Sequence, residues 1–325
     1  MPFSALRARR PMRFSVVLGC LLVTVGVAGC GMIASASQHP AALPSAKHSA
    51  SPSPSPSPSP TPTPRPCARN APGFSCTMRN RIRAVRRYLR QLPGSIGIVI
   101  DDRATGAVWQ NANATVAYPA ASTMKLAMMT DLLLRNQDGN ISLTSTDMAE
   151  MYQALYTSND DDANALWDKY EDSSFLSRVQ AFGMTGATFA GAVNWGFMYC
   201  SARDLDNLMN YVLGDTPASV RDYLVYRLQH VSAIDQQWGV WGAGSQNEPG
   251  NKDGWEYDPP WITNTVGFAG PDQRYTVAIM YNLEGYGNEG DTGFDYGTNV
   301  LTQISSILFQ GHDTTPPTPQ ASAVP

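Results

Sequence analysis

Histidine is scarce in this chain of 325 residues, and its scarcity excludes one kind of site and disfavours another. Of the four histidines, His39, His48 and His312 lie in low-complexity flanks, so His230 is the only one inside the predicted domain. A His-rich metal site is therefore excluded, and a Ser-His-Asp triad is disfavoured. The cysteines lack the spacing of a zinc site, and we predict no cofactor. A serine nucleophile here would need another base.

The amino terminus has the composition of a secretory signal. A head with four arginines precedes the apolar run Phe14–Ala28, which is too short to span a membrane well. The run closes in a Val-Ala-Gly-Cys sequence ending at Cys30, which resembles the bacterial lipobox, whose cysteine is lipidated and becomes the first mature residue. We expect a signal peptide over 1–29, exported by the Sec or the twin-arginine route. Cys30 would then anchor the protein at the extracellular face of the plasma membrane; an uncleaved anchor is the alternative.

Removal of the signal peptide makes the chain more acidic. Residues 1–29 hold four arginines and no acidic residue, so the formal charge falls from −4 to −8, which argues against a nucleic-acid partner. Residues 30–66 are rich in proline and serine and are predicted to be a disordered linker that could reach roughly 100 Å into the cell-wall zone. A second disordered segment is predicted for the polar tail, 312–325.

The folded unit is expected over residues 67–311, and its cysteines suit an oxidising compartment. A disulfide between Cys67 and Cys76 would close a short loop and leave Cys200 as a buried thiol. A bridge between Cys76 and Cys200 is the alternative.

The hydrophobic pattern of this unit places strands at both ends and helices between them. It first predicts a helix over Arg79–Gln91, a hairpin of Ser95–Ile100 with Ala107–Asn111, and a helix-rich stretch over Thr123–Gln229. Two strands, Trp261–Phe268 and Tyr275–Leu283, and a closing helix, Gly297–Phe309, follow. We therefore predict an α+β fold in which terminal helices flank an antiparallel sheet and an all-helical lobe is inserted. Six arginines occupy the rest of the first helix, around its apolar side. They form either a solvated face or a contact for an anionic wall or lipid head group.

Ser122 and Lys125 form a Ser-x-x-Lys motif ahead of the apolar run Leu126–Leu134. Ser122 is expected in the first turn of a helix, with Lys125 about one turn on and on the same face. A lysine can act as the base for a serine once burial and neighbouring cations lower its pKa, whereas an arginine cannot give up its proton. Because the chain has 19 arginines and four lysines, a lysine at this position is informative.

Two further motifs and the order of elements resemble the class A β-lactamase and penicillin-binding-protein superfamily over nearly all of residues 78–310. The family's Ser-Asp-Asn element is similar to Ser158-Asn159-Asp160, and the stretch after it, which contains Asn164, matches the family's continuation. The resemblance implies that Ser158 relays a proton to the leaving nitrogen, and that Asp160 and Asn164 contact the substrate.

The family's Lys-Thr/Ser-Gly element is similar to Lys252-Asp253-Gly254, which is followed by Trp255. By the same resemblance, Lys252 lies on a sheet strand, helps to organise the proton relay and attracts the substrate. Gly254 and Trp255 would line the substrate site, and the backbone N–H groups of Ser122 and Trp255 would form the oxyanion hole.

Two departures from the family bear on function. Class A β-lactamases carry a glutamate, on a loop between the second and third motifs, that positions the deacylating water, whereas Gly183–Cys200 contains no acidic residue. Loss of that base predicts slow release of an acyl group. Asp253 also replaces a hydroxyl residue, and a carboxylate facing the cleft would repel an anionic substrate.

These observations predict a lipid-anchored serine hydrolase that forms an acyl-enzyme on a β-lactam or peptidoglycan-type amide or ester. The alternative is a non-catalytic module that binds cell wall or a partner. It is motivated by the two departures and by an aromatic cluster that is expected to form core and cleft wall: Trp238, Trp241, Trp255, Tyr257 and Trp261.

Overall fold

The computed structural model describes residues 66–257, 260–284 and 291–312. The predictions for the signal peptide, for Cys30, for the linker and for the tail lie outside these residues, apart from the boundary residues Pro66 and His312. No helix in this described part combines the length and the hydropathy that crossing a membrane requires.

The helices and strands follow the predicted order, with a helix-rich stretch between two groups of strands. The helices are α1 Cys76–Leu89, α2 Met124–Gln137, α3 Ser145–Tyr156, α4 Asp160–Tyr170, α5 Phe175–Ala181, α6 Ala202–Gly214, α7 Ala218–Gln229 and α8 Asp291–Phe309. The strands are β1 Ser95–Asp102, β2 Ala107–Gln110, β3 Tyr118–Pro119, β4 Thr188–Phe189, β5 Met198–Cys200, β6 Gly250–Tyr257, β7 Trp261–Ala269 and β8 Tyr275–Asn282.

A five-stranded antiparallel sheet joins the two ends of the domain, in the order β2-β1-β8-β7-β6. Successive side chains of β8 point to opposite faces, so Val277 and Ile279 enter one core while Ala278 and Met280 enter the other. The first core lies under α1 and α8, and the second lies under the helical lobe. Strand β6 forms one edge of the sheet and contacts the turn that precedes α2.

Helix α2 is the centre of the lobe. Its residues Met124–Leu133 are all buried, which requires neighbours on every side. The prediction of an all-helical lobe is wrong, because β3, β5 and β4 form a small second sheet within it. This sheet joins the segment before α6 to the turn before α2, since the N–H of Ala120 donates to the carbonyl of Met198 at 2.8 Å.

The predicted α+β architecture is confirmed, and apart from the small second sheet the differences lie at element ends. Helix α1 begins at Cys76, three residues early, because the Ser75 hydroxyl accepts a hydrogen bond from the N–H of Met78 and caps the helix. Helix α8 begins six residues before the predicted Gly297. A disulfide joins Cys67 to Cys76, and Cys200 is a buried free thiol.

Asp206 on α6 is a fully buried carboxyl group against the sheet. The Thr276 hydroxyl donates to one of its oxygens at 2.6 Å, and Arg203 donates to the other at 3.2 Å. Burial outweighs these two contacts and raises the pKa of Asp206 to about 6. The folded state therefore favours the protonated carboxyl group.

This raised pKa predicts a pH-dependent stability that Asp206→Asn removes. The stabilising effect of protonation is complete below the ordinary pKa of about 4 and is lost as the pH rises through about 6. Between about pH 5 and about pH 7 we expect the wild type to lose about 1 kcal/mol of unfolding free energy relative to the variant. Urea unfolding at both pH values measures this. Parallel curves for the two proteins would contradict the assignment.

Candidate active site

Ser122 lies in a tight turn that leads into α2. Residues Ala121–Thr123 form a single 3₁₀ turn, one step before the helix in which the serine was expected. The turn is strained, because Ala121 has a φ of 48° in the left-handed region, and it is held by a 2.6 Å hydrogen bond from the Thr123 hydroxyl to the carbonyl of Ala120. The Ser122 side chain is largely buried and its hydroxyl makes no hydrogen bond to the described residues.

Lys125, in the first turn of α2, is completely buried. Its amine donates to the carbonyl of Ser158 at 2.6 Å, to the hydroxyl of Ser158 at 3.2 Å and to a carboxylate oxygen of Asp160 at 2.5 Å. These contacts join α2 to the connection between α3 and α4. Asp160 is exposed on its other side, so the ion pair reaches the surface. We call the place where the Ser122 turn, β6 and the connection between α3 and α4 meet the cleft.

Lys252, on the edge strand β6, reaches the same hydroxyl from the sheet. Its amine donates to the Ser158 hydroxyl at 2.8 Å, to the side-chain oxygen of Gln236 at 2.8 Å and to the carbonyl of Asp253 at 2.7 Å. Ser158 has a φ of 63°, a left-handed conformation that is uncommon for serine. The Ser158 hydroxyl therefore lies between two buried lysine amines.

Gln236 is a residue of this site that sequence reasoning missed. Its side-chain oxygen accepts hydrogen bonds from the Lys252 amine and, at 3.1 Å, from the N–H of Asp253. It is fully buried, and it lies in the loop after α7, 16 residues before Lys252. No spacing rule connects a loop glutamine with a strand lysine, so only the fold reveals the contact.

Asp253 lies on the opposite face of the sheet from the cleft. Lys252 points towards Ser158, so the next side chain of the strand points the other way, as does its cross-strand partner Thr265. Thr265 accepts a hydrogen bond from the N–H of Val240, which belongs to the core under α1 and α8. Burial raises the pKa of Asp253 well above its usual range and favours the neutral form. The expected repulsion of an anionic substrate by this carboxylate is therefore not a feature of the cleft.

Gly254 leaves the backbone of Ser122 uncovered. A Cβ at this position would lie 2.9 Å from the N of Ser122 and 2.7 Å from the N of Thr123. The Trp255 indole packs against Trp238 and Phe294 at ring distances of 6.2 and 5.5 Å, behind the sheet edge. The Trp255 side chain therefore belongs to the edge of the core. Of the aromatic cluster, Trp238, Trp255 and Trp261 join this core as expected, whereas Tyr257 is exposed.

Trp195 covers Lys125 from the loop in which no acidic residue occurs. Its ring centre lies 4.6 Å from the Lys125 amine, and its indole N–H donates to the side chain of Asn164 at 3.0 Å. Trp195 is buried, so it shields the amine from water. Asn164 therefore anchors this loop to α4, a contact that its predicted role at the substrate did not include.

Comparison with known proteins relates this geometry to one fold. Residues 78–154 match the profile described as Beta-lactamase enzyme family. The putative lipoprotein LppW of Mycobacterium tuberculosis is 25% identical over 211 residues, which cover 61% of this chain and 67% of that protein.

Solved structures agree with that match. PBP-A has a TM-score of 0.58 at 16% identity, over 71% of this chain and 94% of its own. The β-lactamase of Sphaerobacter thermophilus has a TM-score of 0.58 at 17% identity, over 71% and 96% of the two chains. A class A β-lactamase from Mycobacterium abscessus has a TM-score of 0.58 at 14% identity, over 71% and 98%. This chain has the class A β-lactamase fold. The resemblance predicted from three short motifs is confirmed.

The β-lactamase-like fold buries both cleft lysines, and burial lowers the pKa of each. Burial lowers the pKa of Lys125, and the Asp160 carboxylate partly opposes this. Burial also holds the pKa of Lys252 well below its usual range, and the nearby cation of Lys125 lowers it further. A lysine with a depressed pKa can accept a proton near neutral pH, which an ordinary lysine cannot. Among the described residues, no group of three or more His, Cys, Asp or Glu side chains is arranged to hold a metal ion.

The ion pair predicts that Asp160→Asn lowers the pKa of Lys125, because the carboxylate favours the charged amine. With four lysines in the chain, NMR of lysine labelled at Cε would follow each titration separately. We expect the Lys125 midpoint to fall in Asp160→Asn and to stay unchanged in the control Asp161→Asn, whose carboxylate does not contact this amine. Equal midpoints in all three proteins would contradict the electrostatic account.

Proposed function

We propose that this protein is a cell-surface serine hydrolase that forms an acyl-enzyme through Ser122 and releases it slowly. Its substrate is a β-lactam or a peptidoglycan-type amide or ester. The observation that carries the proposal is the Ser158 hydroxyl between two buried lysine amines, beside a serine whose backbone N–H is left open by Gly254.

In the acylation step, the Ser122 oxygen attacks the carbonyl carbon of the substrate and the uncharged Lys125 amine takes the hydroxyl proton. The carbonyl oxygen becomes an oxyanion between the N–H groups of Ser122 and Trp255. The bond between carbon and the leaving atom then breaks, Ser158 gives that atom a proton, and the Lys125 amine passes the proton taken from Ser122 to the Ser158 oxygen. Lys252 donates to the Ser158 hydroxyl and stabilises the charge that forms on it.

Slow deacylation follows from what lies beside Lys125. Gly183–Cys200 has no carboxylate to activate a water molecule, and the Trp195 indole lies over the amine instead. The acyl group on Ser122 would then persist, which is the behaviour of a penicillin-binding protein. Asp160 and the backbone of Gly254 and Trp255 would contact the substrate at the cleft surface.

The surface location rests on the predicted lipid anchor at Cys30. A protein that is 25% identical over 211 residues is described as a putative lipoprotein, which supports the same anchoring here. An anchored hydrolase on the predicted linker would reach cell-wall substrates.

A non-catalytic binding module is the second candidate, and one observation favours it. The Lys125 amine is paired with a carboxylate at 2.5 Å, and a carboxylate partner stabilises the charged form of an amine, which cannot act as a base. In that case the cleft would bind wall fragments without reacting.

Labelling with a fluorescent penicillin and with a fluorophosphonate distinguishes the two functions. We expect the wild type and the control Ser142→Ala, which alters an exposed serine, to be labelled, and Ser122→Ala to lose the label, because the proposed nucleophile is removed. If none of the three proteins is labelled and wall-fragment binding survives Ser122→Ala, the binding module is favoured. Rapid nitrocefin hydrolysis would instead indicate a true β-lactamase.

A further inference from the structure

Positive charge is segregated at the start of this acidic protein's folded domain. Residues 66–100 contain seven arginines and no aspartate or glutamate, and the first acidic residue is Asp101. Five of these arginines lie on α1 and a sixth is its C-cap residue, and we call all six the arginines of α1: Arg79, Arg81, Arg83, Arg86, Arg87 and Arg90. The apolar side of α1 packs into the core through Ile82, Val85 and Tyr88, so the arginines surround the opposite side.

The arginines of α1 line two surface cavities that contain no carboxylate among their lining residues. One, of about 570 Å³, is lined by Arg86, Arg90 and the half-buried Trp109. The other, of about 320 Å³, lies across the helix and is lined by Arg81, Arg83 and His312, among others. A concave surface with guanidinium groups and no competing carboxylate suits phosphate oxygens, which arginine binds in a bidentate manner.

Within the described part of the chain, ion pairs do not use the charge of these arginines, Arg87 excepted. Arg81 donates instead to the carbonyls of Leu308 and Phe309 at the end of α8, at 3.0 and 2.9 Å. Arg86 and Arg90 are exposed. Their charge is therefore available to a partner outside the domain.

The position of the domain's first described residues identifies that partner. The disulfide ties Cys67 to the first residue of α1 with 5.0 Å between the Cα atoms, so the predicted linker joins the domain beside this helix. Helix α1 also lies across the sheet from Ser122 and Lys252, since it packs on the core opposite the lobe. A surface bound by α1 would leave the cleft open.

We propose that α1 and the two cavities beside it dock on the phosphate head groups of an anionic phospholipid bilayer. The lipid surface is favoured over a soluble polyanion because the predicted tether joins the domain beside the arginines. Docking would hold the domain against the bilayer with its cleft facing outwards. The inference does not depend on the chemistry of Ser122.

The test is vesicle sedimentation of the chain from residue 30 onwards, with Cys30→Ser so that no acyl chain can be attached. Vesicles consist of phosphatidylcholine alone or of phosphatidylcholine with an equal part of phosphatidylglycerol. Two double variants are compared. The α1 variant carries Arg86→Gln and Arg90→Gln, and the α7 variant carries Arg221→Gln and Arg227→Gln, which removes the same charge from the lobe helix α7. Circular dichroism verifies that each protein is folded.

We expect binding to the anionic vesicles only, weakened by added salt. Each arginine near an anionic surface changes partitioning roughly fivefold, so the α1 variant should bind roughly 25-fold more weakly while the α7 variant binds like the wild type. Equal losses in the two variants, binding to both vesicle types alike, or binding to soluble polyglycerol phosphate without binding to vesicles would each overturn the proposal. Penicillin labelling of both variants reports separately on the cleft.

Discussion

The cleft depends on one hydroxyl group, that of Ser158, which contacts the amines of Lys125 and Lys252 at 3.2 and 2.8 Å. Two amines excluded from water around one oxygen cannot both keep a full charge without cost, because burial and mutual repulsion oppose it. The pKa of each lysine is accordingly lowered, while Asp160 and the Gln236 oxygen compensate part of the penalty. The lowered pKa values weaken the hold of both amines on a proton.

The rest of the fold brings these groups together from distant parts of the chain. Lys125 lies on the buried helix α2, Ser158 on the strained connection between α3 and α4, and Lys252 on the sheet edge. The sheet edge approaches the Ser122 turn closely because Gly254 has no side chain; a Cβ there would lie 2.9 Å from the N of Ser122. The strand also turns Asp253 into the opposite core, so one departure from the family pattern has no consequence in the cleft.

The order of the motifs predicted the fold, because element order follows local patterns along the chain. The spacing of Ser122 and Lys125 predicted one helical face, whereas the structure places Ser122 in the turn before α2. Gln236 and Trp195 could not be predicted, because their contacts with Lys252 and Lys125 arise from loops whose positions only packing determines. The side of the sheet that Asp253 faces required the register of β6, which the sequence alone left undefined.

The central claim is that Ser122 forms a covalent bond to its substrate and that the product leaves slowly. Intact-protein mass spectrometry after exposure to benzylpenicillin measures both properties in one time course. The account predicts an adduct with the full mass of the penicillin, located on the peptide that contains Ser122 and persisting after free drug is removed. No adduct at any time, or hydrolysed penicillin accumulating without a lasting adduct, would contradict it.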